Sequence, residues 1–184
     1  MGRLRADQHG VLRVALTDRK PVPDVVGPDL QVLFCGINPS LRSGETGYHF
    51  ARPGNRFWPA LHIAGFTPRQ LRPDEGAELP CYGVGVTNLV DRPTRAASDL
   101  TPDDLRAGLP ALERLAERWQ PATVAILGIG AFRIAFDRPR AVPGRQPETV
   151  GGRPVWALPN PSGLNAHHQL ADLARMYAEL RAGT

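Results

Sequence analysis

Four short apolar runs set the strongest constraint on this chain: LQVLFCGI (30–37), YGVGVTNLV (82–90), ATVAIL (122–127) and PVWAL (154–158). Each is too short for a typical helix and apolar on successive positions, the mark of a strand buried on both faces. Helical signals lie between them. The clearest runs from Thr101 to Trp119, where Thr101 serves as N-cap, Pro102 fits the first helical position, Asp104 completes a capping box, and Leu105, Leu109, Leu112 and Leu115 form one stripe. Shorter helices are expected over 56–65, 68–79 and 128–136, and a final one over 167–182; 138–153 reads as a polar connection. Strands alternating with helices imply an α/β fold: a single-domain three-layer α/β/α sandwich around a mostly parallel sheet of four or five strands. We place an N-terminal extension at 1–27 and the domain at 28–184.

In such a sheet, functional groups gather beyond the carboxyl ends of the strands. Here those ends read Gly36-Ile37-Asn38-Pro39-Ser40, Thr87-Asn88-Leu89-Val90-Asp91-Arg92-Pro93, Gly128-Ile129-Gly130 and Asn160-Pro161-Ser162-Gly163-Leu164-Asn165. Common signatures fail at these loops. A phosphate-binding loop needs a lysine after its glycines, but Lys20 is the only lysine. Gly128-Ile129-Gly130 lacks the third glycine of a dinucleotide fingerprint, and neither GxSxG nor HExxH occurs. Cys35 and Cys81 form no metal-ligand spacing and read as buried free thiols of a cytoplasmic protein. No run reaches the length of a membrane span. No metal and no cofactor is expected. The net charge of +4, carried almost entirely by arginine, favours a polyanionic partner but is weak on its own.

The unusual feature is a pair of Asn-Pro turns at strand ends, Asn38-Pro39 and Asn160-Pro161. A residue before proline is held extended, which fixes the direction of its side chain. Either both asparagines merely start turns, or their amides orient a water or read a base edge. Asp91, at the end of the second strand, either pairs with Arg92 or has a catalytic role. Arg52, Arg56 and Arg92 read as phosphate contacts or as solvated surface. Trp58 and Trp156 read as core.

Four blocks then fall in the order of a known family: Cys35 to Pro39, Gly47 to Trp58 (GYHFARPGNRFW), Gly85 to Thr94 (GVTNLVDRPT) and Leu158 to Leu164 (LPNPSGL). From about Leu30 to Leu180 the chain resembles the mismatch-specific uracil-DNA glycosylases, bacterial relatives of thymine-DNA glycosylase within the uracil-DNA glycosylase superfamily. The resemblance implies a glycosylase that flips uracil, preferably mispaired, out of double-stranded DNA and hydrolyses its glycosidic bond; without a lysine nucleophile to form a Schiff base, a monofunctional enzyme is expected. The resemblance makes Asn38 the water-positioning residue, lines the base pocket with Gly36, Ile37, Pro39 and Ser40, and gives Phe50 a stacking role. Gly163 and Leu164 become the wedge that enters the helix. With these we group Asp91 as a second catalytic candidate, Asn160 in the base pocket and Asn165 in the wedge. Arg52, Arg92 and Ser162 are the candidate phosphate contacts. Two positions depart from the family pattern: Ser40 stands where glycine is common, and Ala166 where a relative carries arginine. The alternatives are a non-catalytic DNA- or nucleotide-binding module and a nucleoside hydrolase. A monomer, acting in the bacterial cytoplasm, is expected.

Overall fold

Apolar residues alternate around the central strands, so the sheet is covered on both sides. The computed structural model describes residues 20–184, and before them only the backbone of two antiparallel strand pieces, β1 (Arg5–Ala6) and β2 (Leu12–Arg13). The main sheet holds β3 (Val32–Gly36), β4 (Val84–Asn88), β5 (Thr123–Leu127), β6 (Gly144–Val150) and β7 (Arg153–Leu158), in the spatial order β4-β3-β5-β7-β6. The first four in that order are mutually parallel, and β6 runs antiparallel to β7. The helices are α1 (Leu41–Thr46), α2 (Phe57–Ile63), α3 (Pro102–Trp119), α4 (Ile129–Ala135) and α5 (Leu170–Ala182). Two 3-10 segments, Pro73–Tyr82 and Ala97–Asp99, complete the described elements.

The two-residue period of the strands sorts side chains into two cores. Leu33, Cys35, Val124 and Ile126 face α3 and α4, packing with Leu105, Leu112 and Phe132. Val32, Phe34, Ala125 and Leu127 face α2 and α5, packing with Phe57, Leu61, Leu173 and Tyr177. The expected α/β/α sandwich is therefore present. Helix α3 starts as its sequence dictates: Thr101 Oγ1 accepts from the Asp104 amide at 3.1 Å, and Asp104 Oδ2 accepts from the Thr101 amide at 2.8 Å.

Three departures have physical causes. Strand β6 falls within the expected polar connection, because an edge strand needs no apolar run: its half-exposed GRQPETV carries Pro147 beside a register shift. The segment expected as a helix over 68–79 becomes the 3-10 stretch Pro73–Tyr82, with Pro80 inside it. Residues 20–27, assigned to the extension, are packed against the sheet. Val25 exchanges two backbone hydrogen bonds with Val86 (2.9 and 2.8 Å), and Val22 and Val26 are buried.

Phe34 is completely buried, with the rings of Phe57, Phe66 and Tyr177 centred 5.5, 5.6 and 5.2 Å away. Phe34→Ala is expected to cost about 3–5 kcal/mol, through lost transfer energy plus a cavity. Urea unfolding would show a lower midpoint at unchanged m; a loss below about 1 kcal/mol would contradict this packing.

Candidate active site

The carboxyl ends of β3, β4 and β7 open onto a cleft of about 340 Å³, a volume in the range of small-ligand pockets. Its walls include Gly36, Ile37, Asn38, Pro39, Ser40, Phe50, Arg52, Asn160, Ser162, Leu164 and Asn165, so the structure unites most of the residues singled out in the sequence.

The two Asn-Pro asparagines are fixed in opposite senses. Asn38 Nδ2 donates to the Arg92 carbonyl at 2.8 Å, to Thr94 Oγ1 at 2.8 Å and to the Pro39 carbonyl at 3.2 Å. Backbone carbonyls only accept, so the amide nitrogen must lie on this side and Oδ1 stays open as an acceptor. Asn160 does the reverse. Its Oδ1 accepts from the Ser162 amide at 2.9 Å, an Asx turn that leaves Nδ2 as the open donor. The cleft thus carries one oriented acceptor and one oriented donor, each set by the backbone of its own loop.

Phe50 supplies an aromatic wall. Its ring stacks on Phe57 with centroids 4.1 Å apart, and its backbone sits at a φ of 52°, a left-handed conformation that a bulky residue adopts only when its surroundings hold it. Part of that hold is visible: Ser40 caps α1 by accepting from the Ser43 amide, and buried Ser43 Oγ accepts from the Ala51 amide at 3.1 Å. Ser40, which departs from the family pattern, is thus the N-cap of a short helix that the sequence did not announce.

Asn88 and His49 went unrecognised as site residues. Asn88 ends β4 directly opposite Gly36, and both it and His49 line the cleft. A Cβ on Gly36 would lie 2.6 Å from Asn88 Oδ1 and 3.3 Å from the Phe50 ring, so only glycine lets amide and ring meet there. His49 lies 2.9 Å from the Pro23 carbonyl through Nε2, which assigns the proton to Nε2; Nδ1 then accepts from Asn88 Nδ2 at 3.4 Å. The signal for Asn88 was its place, a polar residue at the carboxyl end of a parallel strand. His49 carried no such signal, since its partner Pro23 is distant in sequence.

The fourth loop is built around a protruding leucine. Asn165 Nδ2 donates to the Asn160 carbonyl at 3.0 Å, the Asn165 amide to the Ser162 carbonyl at 3.0 Å, and the Leu164 amide to Ser162 Oγ at 3.3 Å. Leu164 itself is 68% exposed. Gly163 lies outside the cleft wall; a Cβ there would meet the Gly54 carbonyl at 2.6 Å, so the glycine permits close contact with the neighbouring loop.

Two of the expected site residues lie outside the cleft. Asp91 does not line the cleft: its side chain is about half exposed and pairs with Lys20 at 3.4 Å, not with Arg92. Arg92 also lies outside, its guanidinium spent on Asp104 at 2.9 Å while its carbonyl holds Asn38. Arg95, overlooked, lines the cleft beside Ser98, and neither it nor Arg52 pairs with a carboxylate among the described residues. Arg56 contacts backbone carbonyls of the Leu164 loop. Cys35 is buried, and burial pushes its thiol pKa up; Cys81 is exposed, contrary to expectation. Burial works against the Lys20 charge, but Asp24 and Asp91 overcome it and hold its pKa above the usual lysine value. Among the described residues no cluster of three or more His, Cys, Asp or Glu could hold a metal ion, and no helix is long and apolar enough to cross a membrane.

The strand-end cleft of this α/β sandwich thus gathers oriented amides, an aromatic wall and the exposed Leu164. The chain belongs to the uracil DNA glycosylase superfamily, whose model matches residues 23–181. The activity class of that superfamily is uracil DNA glycosylase, a hydrolase acting on DNA. The fold is similar to the solution NMR structure of a Methanosarcina acetivorans protein described as a "putative Uracil DNA glycosylase", with 16% identity and a TM-score of 0.52, covering 86% of this chain and 96% of that one.

His49 gives the site an acid limit. Burial drives its pKa down to about 4, against smaller opposing pulls from the Pro23 carbonyl and Asp24. Below its usual value of 6.5 the unfolded chain binds a proton that the fold refuses until about pH 4, so stability falls as pH drops through that window. The loss reaches on the order of 3 kcal/mol. His49→Gln, which keeps a donor and an acceptor, is expected to flatten this limb. Urea unfolding at pH 7 and 4.5 checks it; equal pH slopes for both proteins would contradict the assignment.

Proposed function

We propose that the cleft removes uracil from double-stranded DNA as a monofunctional glycosylase, preferring mispairs such as uracil opposite guanine and leaving an abasic site. The observation that carries this reading is Leu164: the most exposed of the large hydrophobic side chains among the described residues stands on the lip of a cleft floored by oriented amides. A nucleoside hydrolase has no use for such a wedge. A base inside a duplex must be extruded before attack, at a cost of a few kcal/mol that is least when the base is mispaired. Leu164 fills the vacated stack and offsets part of that cost.

The flipped uracil stacks on Phe50, an interaction of about 1–3 kcal/mol on the scale of base–aromatic contacts. As the glycosidic bond breaks, negative charge develops on the ring oxygens. Asn160 Nδ2 and amides along Gly36 to Ser40 supply donors, the kind of preorganised stabilisation worth roughly 10²–10³-fold per donor. Asn38 Oδ1 holds the water that adds to the sugar carbon, and the proton this water loses is taken up by the departing uracil anion. An amide takes no proton near pH 7, so Asn38 positions the water without acting as a base. No carboxylate lines the cleft among the described residues, and the lone lysine is tied to Asp24 and Asp91 away from it. A Schiff base, and with it strand nicking, is therefore not part of the chemistry. The protein works as a monomer with DNA as its partner.

Incubation with duplexes carrying U·G, U·A or T·G, and with single-stranded uracil, followed by alkaline cleavage, tests the reading directly. Alkali-labile product is expected fastest from U·G; no product from any substrate would overturn it in favour of a binding module. Asn38→Ala is expected to lower the single-turnover rate by roughly 10²-fold or more, the scale of a misplaced reactant. Asp91→Asn should stay within a few-fold of wild type, and comparable losses in the two would contradict the water-positioning scheme.

Binding is expected to weaken with salt at a log–log slope of roughly −0.9 per neutralised phosphate. Arg52→Ala and Arg95→Ala should each reduce that slope by about one, whereas Arg92→Ala leaves it nearly unchanged. Titrations of labelled duplex across a salt series measure this; an effect confined to Arg92→Ala would place the phosphate path on the other side of the loop.

A further inference from the structure

One arginine reaches across the cleft's rim into the loop that carries Leu164. Arg56 Nη1 donates to the carbonyls of Asn165 and His168, both at 2.9 Å, and Nη2 reaches the Gly163 carbonyl at 3.4 Å. The Arg56 backbone amide donates to the Pro161 carbonyl at 2.8 Å. A single residue thus holds the loop before, at and after its exposed tip. Arg56 stands immediately before α2, whose Phe57 and Trp58 are buried in the core, so the anchor is rigid at its base. Two of these acceptors, the Asn165 and Gly163 carbonyls, flank Leu164 in the chain. A guanidinium suits the task because its planar fork offers five donors in fixed directions, which an ammonium cannot match.

We propose that Arg56 is the positioning residue that presents Leu164, holding the wedge loop in its inserting conformation before DNA arrives. This rests on the function proposed above and goes beyond it: the glycosylase reading needs a wedge, but not one ordered in the free protein. A loop ordered in advance loses little conformational freedom on binding, where side-chain and loop ordering otherwise subtract from affinity. Arg56 touches neither base nor water in this scheme. Its effect belongs to the step of opening the duplex.

Two measurements on Arg56→Ala and Arg56→Lys test this. The first is amide hydrogen exchange in the free protein, which needs no substrate. The amides of Leu164, Asn165 and His167, bonded within the loop, should exchange at least ten-fold faster in Arg56→Ala, with β3 and β5 unchanged. The second is single-turnover excision from a U·G duplex and from single-stranded uracil, read as a ratio. That ratio should fall about ten-fold in Arg56→Ala and by less in Arg56→Lys. In a Leu164→Ala background the same substitution should lower it no further, because the group being positioned is gone. Unchanged exchange across 162–168, an unchanged ratio in folded protein, or a full further loss in the double variant would each overturn the proposal. An inactive wild type would sink the glycosylase reading instead, and faster loop exchange would still show that Arg56 orders the loop.

Discussion

The site depends on a close approach over Gly36. The parallel register of β3 and β4 sets Gly36 opposite Asn88, and the missing Cβ lets the Asn88 amide and the Phe50 ring come together above the strand. Any side chain there would press on both, since Asn88 is held by His49 and Phe50 by Phe57. Neither neighbour can swing away without breaking a further contact. A strand register and one absent methyl group thus set the floor of the cleft.

The cleft continues the hydrophobic core. Phe34 packs edge-on against Phe57, and Phe57 stacks on Phe50, so three rings lead from the centre of the sheet to the cleft wall. On the other side of the floor, the segment around Pro23 binds His49 while Asp24 accepts from Thr87 at 2.6 Å. The chain before β3 therefore braces the site from behind. Such bracing explains how Phe50 keeps a left-handed backbone, a conformation that costs of order 1–3 kcal/mol unless the surroundings impose it.

Much of this was legible in the sequence, because buried parallel strands write themselves as apolar runs and their carboxyl ends point to the functional edge. Asn38, Phe50, Asn160 and Leu164 followed from that rule and from the four family blocks. What stayed hidden depends on pairing across distance. Strand β6 is polar because an edge strand faces solvent, so no periodic apolar signal marked it. Asp91 looked catalytic from its place beyond β4, yet the turn that follows directs it toward Lys20, while the Arg92 carbonyl turns inward to Asn38. Arg92 and Arg95 differ in the same way: only the start of α3, which brings Asp104 within reach of Arg92, distinguishes a committed arginine from one with no carboxylate partner among the described residues. No local pattern encodes which arginine finds a carboxylate.

The central claim is that a base leaves the helix for Phe50 while Leu164 takes its place. A crystal structure on a U·G duplex tests it most directly, with a 2′-fluorine on the target sugar to slow hydrolysis by destabilising positive charge at the reacting carbon. The uracil ring should lie against Phe50, between Asn88 and Asn160, with Leu164 inside the base stack. A uracil still paired in the helix, with Leu164 folded back on the protein, would contradict it.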